Sequence, residues 1–401
     1  MPINNRTSLS AKIFLIICIL LGLFFYRRIG IRGFTYTDEL IALSLAVYLF
    51  ISLLRYQLFE KKMLNAFYSF IGIFFFYYVY SWVLSINPQG INTSFVIYIK
   101  PFLTFFCAYL IGFNLDNHFK KHISILAVVL SIACLGITVY GYMNPFFSHP
   151  AYMAMTVSAL ALFYYYTSKT SLKNTIISIC IMAIALLSFR MKAVGFFIVF
   201  VLITLFYKGE VKIKYSVRNT LLIISAIALV LYKAKDKLYF YFFNPYNENN
   251  LESSGRAALY VTAPDVLNDY FPFGPGFATY ADFASAEFYS PLYYKYHLDM
   301  VYGLSPYNHT FICDAFYTGL AQFGYVGIFL FFYFWYWIYG LLKSNYKKNG
   351  NVKLYKVGLL IIAFFMIEST TATTFVQAQG LIVMLLLAII LYEGKYNPKS
   401  L

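Results

Sequence analysis

The sequence predicts an all-α integral membrane protein of about twelve transmembrane helices, with one large extracytoplasmic loop between the ninth and tenth. Three observations predict it. Hydrophobic residues make up 61% of the chain and charged residues 12%, with a mean hydropathy of +0.67. A soluble domain carries roughly twice that charge fraction. Apolar runs close to the ~20 residues that span a bilayer recur from end to end. Finally, one polar stretch, Lys233 to Thr318, interrupts them. It holds nine of the sixteen acidic residues (Asp236, Glu248, Glu252, Asp265, Asp269, Asp282, Glu287, Asp299 and Asp314) and two of the five histidines, His297 and His309. A connection of that length in a compact protein usually carries function.

The candidate spans are 11–27, 37–54, 63–86, 95–113, 123–143, 151–167, 175–189, 193–207, 219–233, 319–342, 357–375 and 377–392. The last two are separated by little more than a tight turn. No linker divides the 401 residues, so they read as a single polytopic domain that contains the loop 233–318. Lys and Arg set the orientation. With the N-terminus in the cytoplasm, twenty of the thirty-one fall on cytoplasmic segments and ten outside, and Lys100 lies within the fourth span. Both termini are then cytoplasmic, and the long loop faces the opposite side. Arg27, Arg28 and Arg32 run against the bias and read as a helix-flanking group at the interface.

The net charge of +15 does not point to nucleic acid, because the basic residues sit in short clusters between apolar runs. They suit a topology code and anionic lipid. Cys18, Cys107, Cys134 and Cys180 fall in apolar runs and only Cys313 in the loop, so neither a disulfide framework nor a zinc site is indicated. The N-terminal run Ile13–Tyr26 lacks an A-x-A-like cleavage site and reads as a retained helix. The 40 Tyr and 43 Phe concentrate in and at the ends of spans, as lipid-facing and interfacial aromatics do.

Four places could carry chemistry. Ser188-Phe189-Arg190-Met191-Lys192 is a cationic turn between two apolar runs on the outer side. A guanidinium that forks onto two oxygens beside an ammonium suits a phosphate; a hairpin cap with snorkelling side chains is the alternative. Ser253-Ser254-Gly255-Arg256 carries the loop's only arginine, with Ser254 placed to cap a helix starting near Arg256. A salt bridge to a loop carboxylate is its competing role. Pro272-Phe273-Gly274-Pro275-Gly276 reads as a rigid turn. In Ser305-Pro306-Tyr307-Asn308-His309-Thr310, at a loop-to-helix junction, His309 is a candidate base or phosphate ligand, against the commoner structural role of a lone histidine. His149, in the short outer turn Ser148-His149-Pro150, could join such a site. No HExxH, Walker loop, nucleophile elbow or EF-hand occurs. The outer acids show no DxD pair, so nothing points to a metal or a nucleotide sugar.

Taken in order, Ser188-Phe189-Arg190, Gly255-Arg256 with Pro272 to Gly276, and Tyr307-Asn308-His309-Thr310-Phe311 leading to Gly324-Tyr325-Val326-Gly327 resemble the O-antigen polymerase and ligase superfamily of bacterial inner-membrane glycosyltransferases. Two positions depart from the common pattern: Asn308 precedes His309 where the family often has His-Asn, and Ala278 stands where a third alternate glycine is frequent. The resemblance implies a GT-C-like helical enzyme that needs no cofactor or metal. It would transfer glycan from undecaprenyl pyrophosphate on the periplasmic face. It places Arg190 and Arg256 at the diphosphate and gives His309 base or oxyanion duty. Arg256 and His309 are then the catalytic pair, and Arg190 and Lys192 the substrate-binding one. A polymerase joining lipid-linked repeat units is the favoured member, with a chain-length regulator as a partner. A ligase acting on lipid A–core shares the same motifs. A flippase of lipid-linked sugar is the outside alternative, which would more commonly show inverted repeats and short loops.

Overall fold

A computed structural model describes residues 9–26, 30–31, 34–55, 60–207 and 251–396. The ninth candidate span, 219–233, the loop segment 233–250, and Arg27, Arg28 and Arg32 lie outside the described residues. The described chain is mostly helical, with turns between the helices and one short antiparallel ladder, Gly30–Ile31 with Phe34–Thr35. The helices are α1 (Leu9–Ile19), α2 (Thr37–Arg55), α3 (Lys61–Leu84), α4 (Ile91–Ile111), α5 (Asn117–Val139), α6 (Met143–Phe147), α7 (Pro150–Thr167), α8 (Leu172–Ile184) and α9 (Met191–Val201). After the undescribed segment come α10 (Leu251–Asp269), α11 (Phe283–Glu287), α12 (Pro291–Lys295), α13 (Phe316–Gly319), α14 (Gly324–Asn349), α15 (Val352–Glu368) and α16 (Ala378–Tyr396). Six described helices are long and apolar enough to cross a membrane.

Helix ends follow local chemistry. Asp116 accepts from Phe119 N at 2.7 Å to open α5, and Asn351 accepts from Leu354 N at 3.1 Å to open α15. His149 precedes Pro150, whose fixed φ suits the first helical position of α7. The centre of the bundle is α16 packed on α4: 89% and 72% of their apolar windows are buried, against 11% for α3. A helix apolar all round belongs in such a centre. On α3, Phe75, Val79 and Val83 point outward, a face suited to lipid rather than water.

The segment 357–375, read from sequence as one span, is helical only to Glu368. The run Ser369-Thr370-Thr371-Ala372-Thr373-Thr374 ends it, because its hydroxyls compete for helix carbonyls. Thr370 Oγ1 donates to Ile367 O at 2.7 Å. Residues 369–377 therefore form a polar link rather than a tight turn.

Nor is the polar stretch a plain loop. From Leu251 onward it folds into a cap with its own core of Leu259, Val266, Tyr280, Tyr293, Leu298, Leu304 and Ile312. The helix expected to start near Arg256 is already formed at Leu251, which places Arg256 within α10. Buried groups tie the cap to α3, α4 and the turn between them. Asn87 Nδ2 donates to Ala278 O at 2.7 Å and Phe288 O at 2.6 Å, and Ser81 Oγ accepts from Phe277 N at 2.8 Å.

Candidate functional site: a polar cavity beneath the cap

A cavity of about 1130 Å³ lies between the cap and the ends of the helices. Arg190, Lys192 and Arg256 are on its wall. His309 is not: it is exposed, and its neighbour Thr310 is the wall residue.

Arg190 owes its position to a break in the chain. Phe189 adopts φ +52, which ends the turn Ala185–Ser188, and Arg190 is the extended residue that opens α9. Its Nη2 lies 2.7 Å from His149 Nε2, at the opening of α7. Lys192, in the first turn of α9, sets its Nζ 2.7 Å from Glu368 Oε2, at the last turn of α15. Glu368 is fully buried. A buried charge of this kind is tolerated only with a partner. Arg256 pairs with Asp314. Gly255 lets α10 pack closely on the 302–311 segment of the cap: a Cβ at that position would stand 3.0 Å from Tyr302 O.

A second polar group lies on the same wall. Lys100, within α4, pairs with both Asp38 and Glu39 of the first turn of α2, and Glu39 Oε1 accepts from it at 2.7 Å. Gln379, at the start of α16, is buried, and neither polar atom of its amide meets a protein partner; Gln377 Oε1 is likewise unmatched. Buried amides without partners are costly, so a site that needs them for a polar ligand explains their presence. Tyr26, Tyr152 and Phe311 add aromatic surface.

Sequence reasoning saw Lys100 as a charge inside a span but not what it pairs with. A lone cation at membrane depth asks for a carboxylate, and Asp38-Glu39 at the mouth of a neighbouring span supplies two. Nothing in the sequence pointed to Gln377 and Gln379, because they fall at the start of the last candidate span, 377–392, and read as part of an apolar helix.

The glycine motifs have a different place. Gly276 N donates to Gln322 O at 2.8 Å and Val326 N to Pro272 O at 3.2 Å, while a Cβ on Gly274 would collide with Gly324 N. The turn and the Gly324 segment thus latch the cap to α14, and neither lines the cavity. No protein-family profile matches the chain, and no curated protein matches it in sequence.

Proposed function

We propose that this protein is a surface-polysaccharide polymerase. It would transfer glycan from one undecaprenyl-pyrophosphate-linked repeat unit to another on the periplasmic face of the bacterial inner membrane. The observation that carries the reading is the meeting of Arg190, Lys192 and Arg256, from the α8–α9 turn and from the cap, on one cavity wall. In the transfer, an acceptor hydroxyl oxygen attacks the anomeric carbon and the bond from that carbon to the diphosphate oxygen breaks. The leaving diphosphate gains negative charge, which fixed guanidinium donors stabilise. Arg190 and Arg256 take that role and Lys192 adds point charge. The unmatched amide of Gln379 and the unmatched Oε1 of Gln377 offer partners for sugar hydroxyls. His309 stands outside the wall, so its part in the reaction would be to take the proton of an acceptor arriving from solvent. The charge bias of the sequence supports the periplasmic placement of the site, with both termini in the cytoplasm.

The test is a reconstituted reaction. The purified protein in detergent receives only undecaprenyl-pyrophosphate repeat units, and products are resolved on a gel. A ladder that survives EDTA and disappears in Arg190→Ala and Arg256→Ala supports the polymerase. Product only after addition of lipid A–core converts the reading to a ligase. A full ladder from both arginine variants would remove the diphosphate role.

A further inference from the structure

A second crevice, of about 80 Å³, lies at the other end of the same helices. Helix α7 runs from His149 at the cavity to Ser168 here, and α15 runs back from Lys353 here to Glu368 at the cavity. At 1.5 Å per residue the 18 residues of α7 cover about 27 Å, close to the thickness of a bilayer core. The two sites therefore lie at opposite ends of the bundle, about one bilayer core apart.

Three lysines line the crevice: Lys169, Lys353 and Lys356, with Asn174, Thr170 and Thr175 beside them. Lys353 is 7% exposed and donates to Ser168 O; Lys356 Nζ donates to Thr204 O at 2.8 Å. Each ammonium has three N–H groups, so one carbonyl apiece leaves both with donors to spare. Among the described residues no carboxylate lies within 4.0 Å of any of the three, whereas the largely buried Lys100, Lys120 and Lys192 each have one. The neighbouring acid, Glu393, is already held by Lys120 at 2.5 Å and by Tyr166. Snorkelling would account for lysines whose heads reach into water. It does not account for Lys353, which is 7% exposed and lines a crevice whose three lysines have no carboxylate within ion-pair distance among the described residues.

We propose that this crevice binds a phosphate group, carried by an anionic phospholipid of the leaflet opposite the cavity or by a small free phosphate. The volume admits several waters, and hence a phosphate, but not a glycan. Basic niches between helices at a membrane surface hold phospholipid headgroups by the same charge pairing. A lipid held here would clamp α7, α8 and α15 at one end, and those helices carry His149, Ser188 and Glu368 at the other.

The full-length protein is purified in neutral detergent and given equal amounts of phosphatidylglycerol and phosphatidylcholine, and retained lipid is counted by native mass spectrometry. Phosphatidylglycerol is expected to be retained at least fivefold over phosphatidylcholine. The Lys169→Ala/Lys356→Gln double variant is expected to lose that preference while unfolding at the wild-type temperature in phosphatidylcholine. The milder Lys169→Ala alone, at an exposed position, is expected to weaken it about twofold. If millimolar inorganic phosphate displaces the lipid and raises the unfolding temperature equally, the site belongs to a free phosphate. Equal retention of the two lipids by wild type, with no response to inorganic phosphate, overturns the proposal. So does an unchanged preference in the double variant. Neither result bears on the glycan-transfer reading, which the polymer ladder tests.

Discussion

Arg190 and His149 meet on the cavity wall in a way that sets two claims on one imidazole. Arg190 Nη2 lies 2.7 Å from His149 Nε2, and Ala151 N–H points at His149 Nδ1 from 3.2 Å. A guanidinium only donates, and a neutral imidazole carries one N–H, so it cannot accept at both nitrogens. An anion in the cavity resolves the conflict. It takes the Arg190 donors and leaves Nε2 free to carry the proton toward the same anion, while Nδ1 keeps the Ala151 contact. Arg190→Lys should lower transfer by ~10²-fold, the cost of one lost oxyanion donor. His149→Gln, which retains a donor, should cost less than His149→Phe. Competition by inorganic pyrophosphate against the lipid-linked donor measures both. Equal inhibition constants in wild type and His149→Phe would place the imidazole outside the anion site.

The Lys192–Glu368 pair allows structure to be separated from chemistry. Breaking a buried pair from one side costs about 3–5 kcal/mol, while removing both charges together is far cheaper. Lys192→Met and Glu368→Gln alone should each lower the unfolding temperature in detergent, and the double variant should recover most of the loss. If Lys192 also serves the diphosphate, the recovered double variant stays impaired in transfer. Recovery of both stability and transfer would make the pair a brace and nothing more.

The helical character of the chain and the position of Arg190 at a turn between apolar helices were legible because both follow from one-dimensional hydropathy. Arg256 was legible as the single arginine among loop carboxylates, although its partner was not. The fold of the cap was not legible. Its core is built from single apolar residues such as Leu259, Tyr280 and Ile312, spread over several short helices and turns with no long period to betray them. The link 369–377 was missed because alanine, valine and phenylalanine among its threonines kept the hydropathy high, while the hydroxyls decided the backbone. His309 illustrates the limit of motif reading. Its segment approaches the cavity at Thr310, but whether a side chain lines the wall is settled by its loop and not by its neighbours in sequence.

Asp314 competes with any anion for Arg256. Its side chain is 34% exposed and that of Arg256 21%, so solvent screens the pair, and it contributes about 0–1 kcal/mol. Asp314→Asn should therefore leave the unfolding temperature nearly unchanged. Removing the competing charge should strengthen inhibition by inorganic pyrophosphate several-fold. Arg256→Lys should act in the opposite sense, because an ammonium lacks the two-pronged fork. Inhibition that stays constant in Asp314→Asn would mean that Arg256 does not meet the anion.

Gly274 and Gly324 press their backbones together where the cap meets α14, and Gly274 holds φ +77. Gly274→Ala adds a methyl group to a space filled by Gln322 and Gly324 backbone, in a conformation that also disfavours an L side chain. The predicted loss is more than about 3 kcal/mol. Limited proteolysis should show cleavage within the cap before the bundle unfolds. Resistance equal to wild type would show that the latch accommodates the added methyl group.

Asp282 links pH to the same joint. It is buried, accepts from Ser285 N at 2.6 Å to cap α11, and receives the Ser94 hydroxyl from α4. Burial, the largest influence, raises its carboxyl above the ordinary value despite these donors. A carboxyl raised on folding favours the protonated folded state, so its contribution to stability declines as pH rises from the unfolded value of about 3.9 through the folded one. Asp282→Asn keeps an acceptor for Ser285 N and removes the ionisation. Its stability relative to wild type should improve as pH rises across that window. Asp282→Ala should lose the cap at every pH, about 1 kcal/mol. Unfolding of the three proteins measured between pH 4 and 8 decides it: a constant gap between wild type and Asp282→Asn would mean that the carboxylate is ionised in the folded protein throughout.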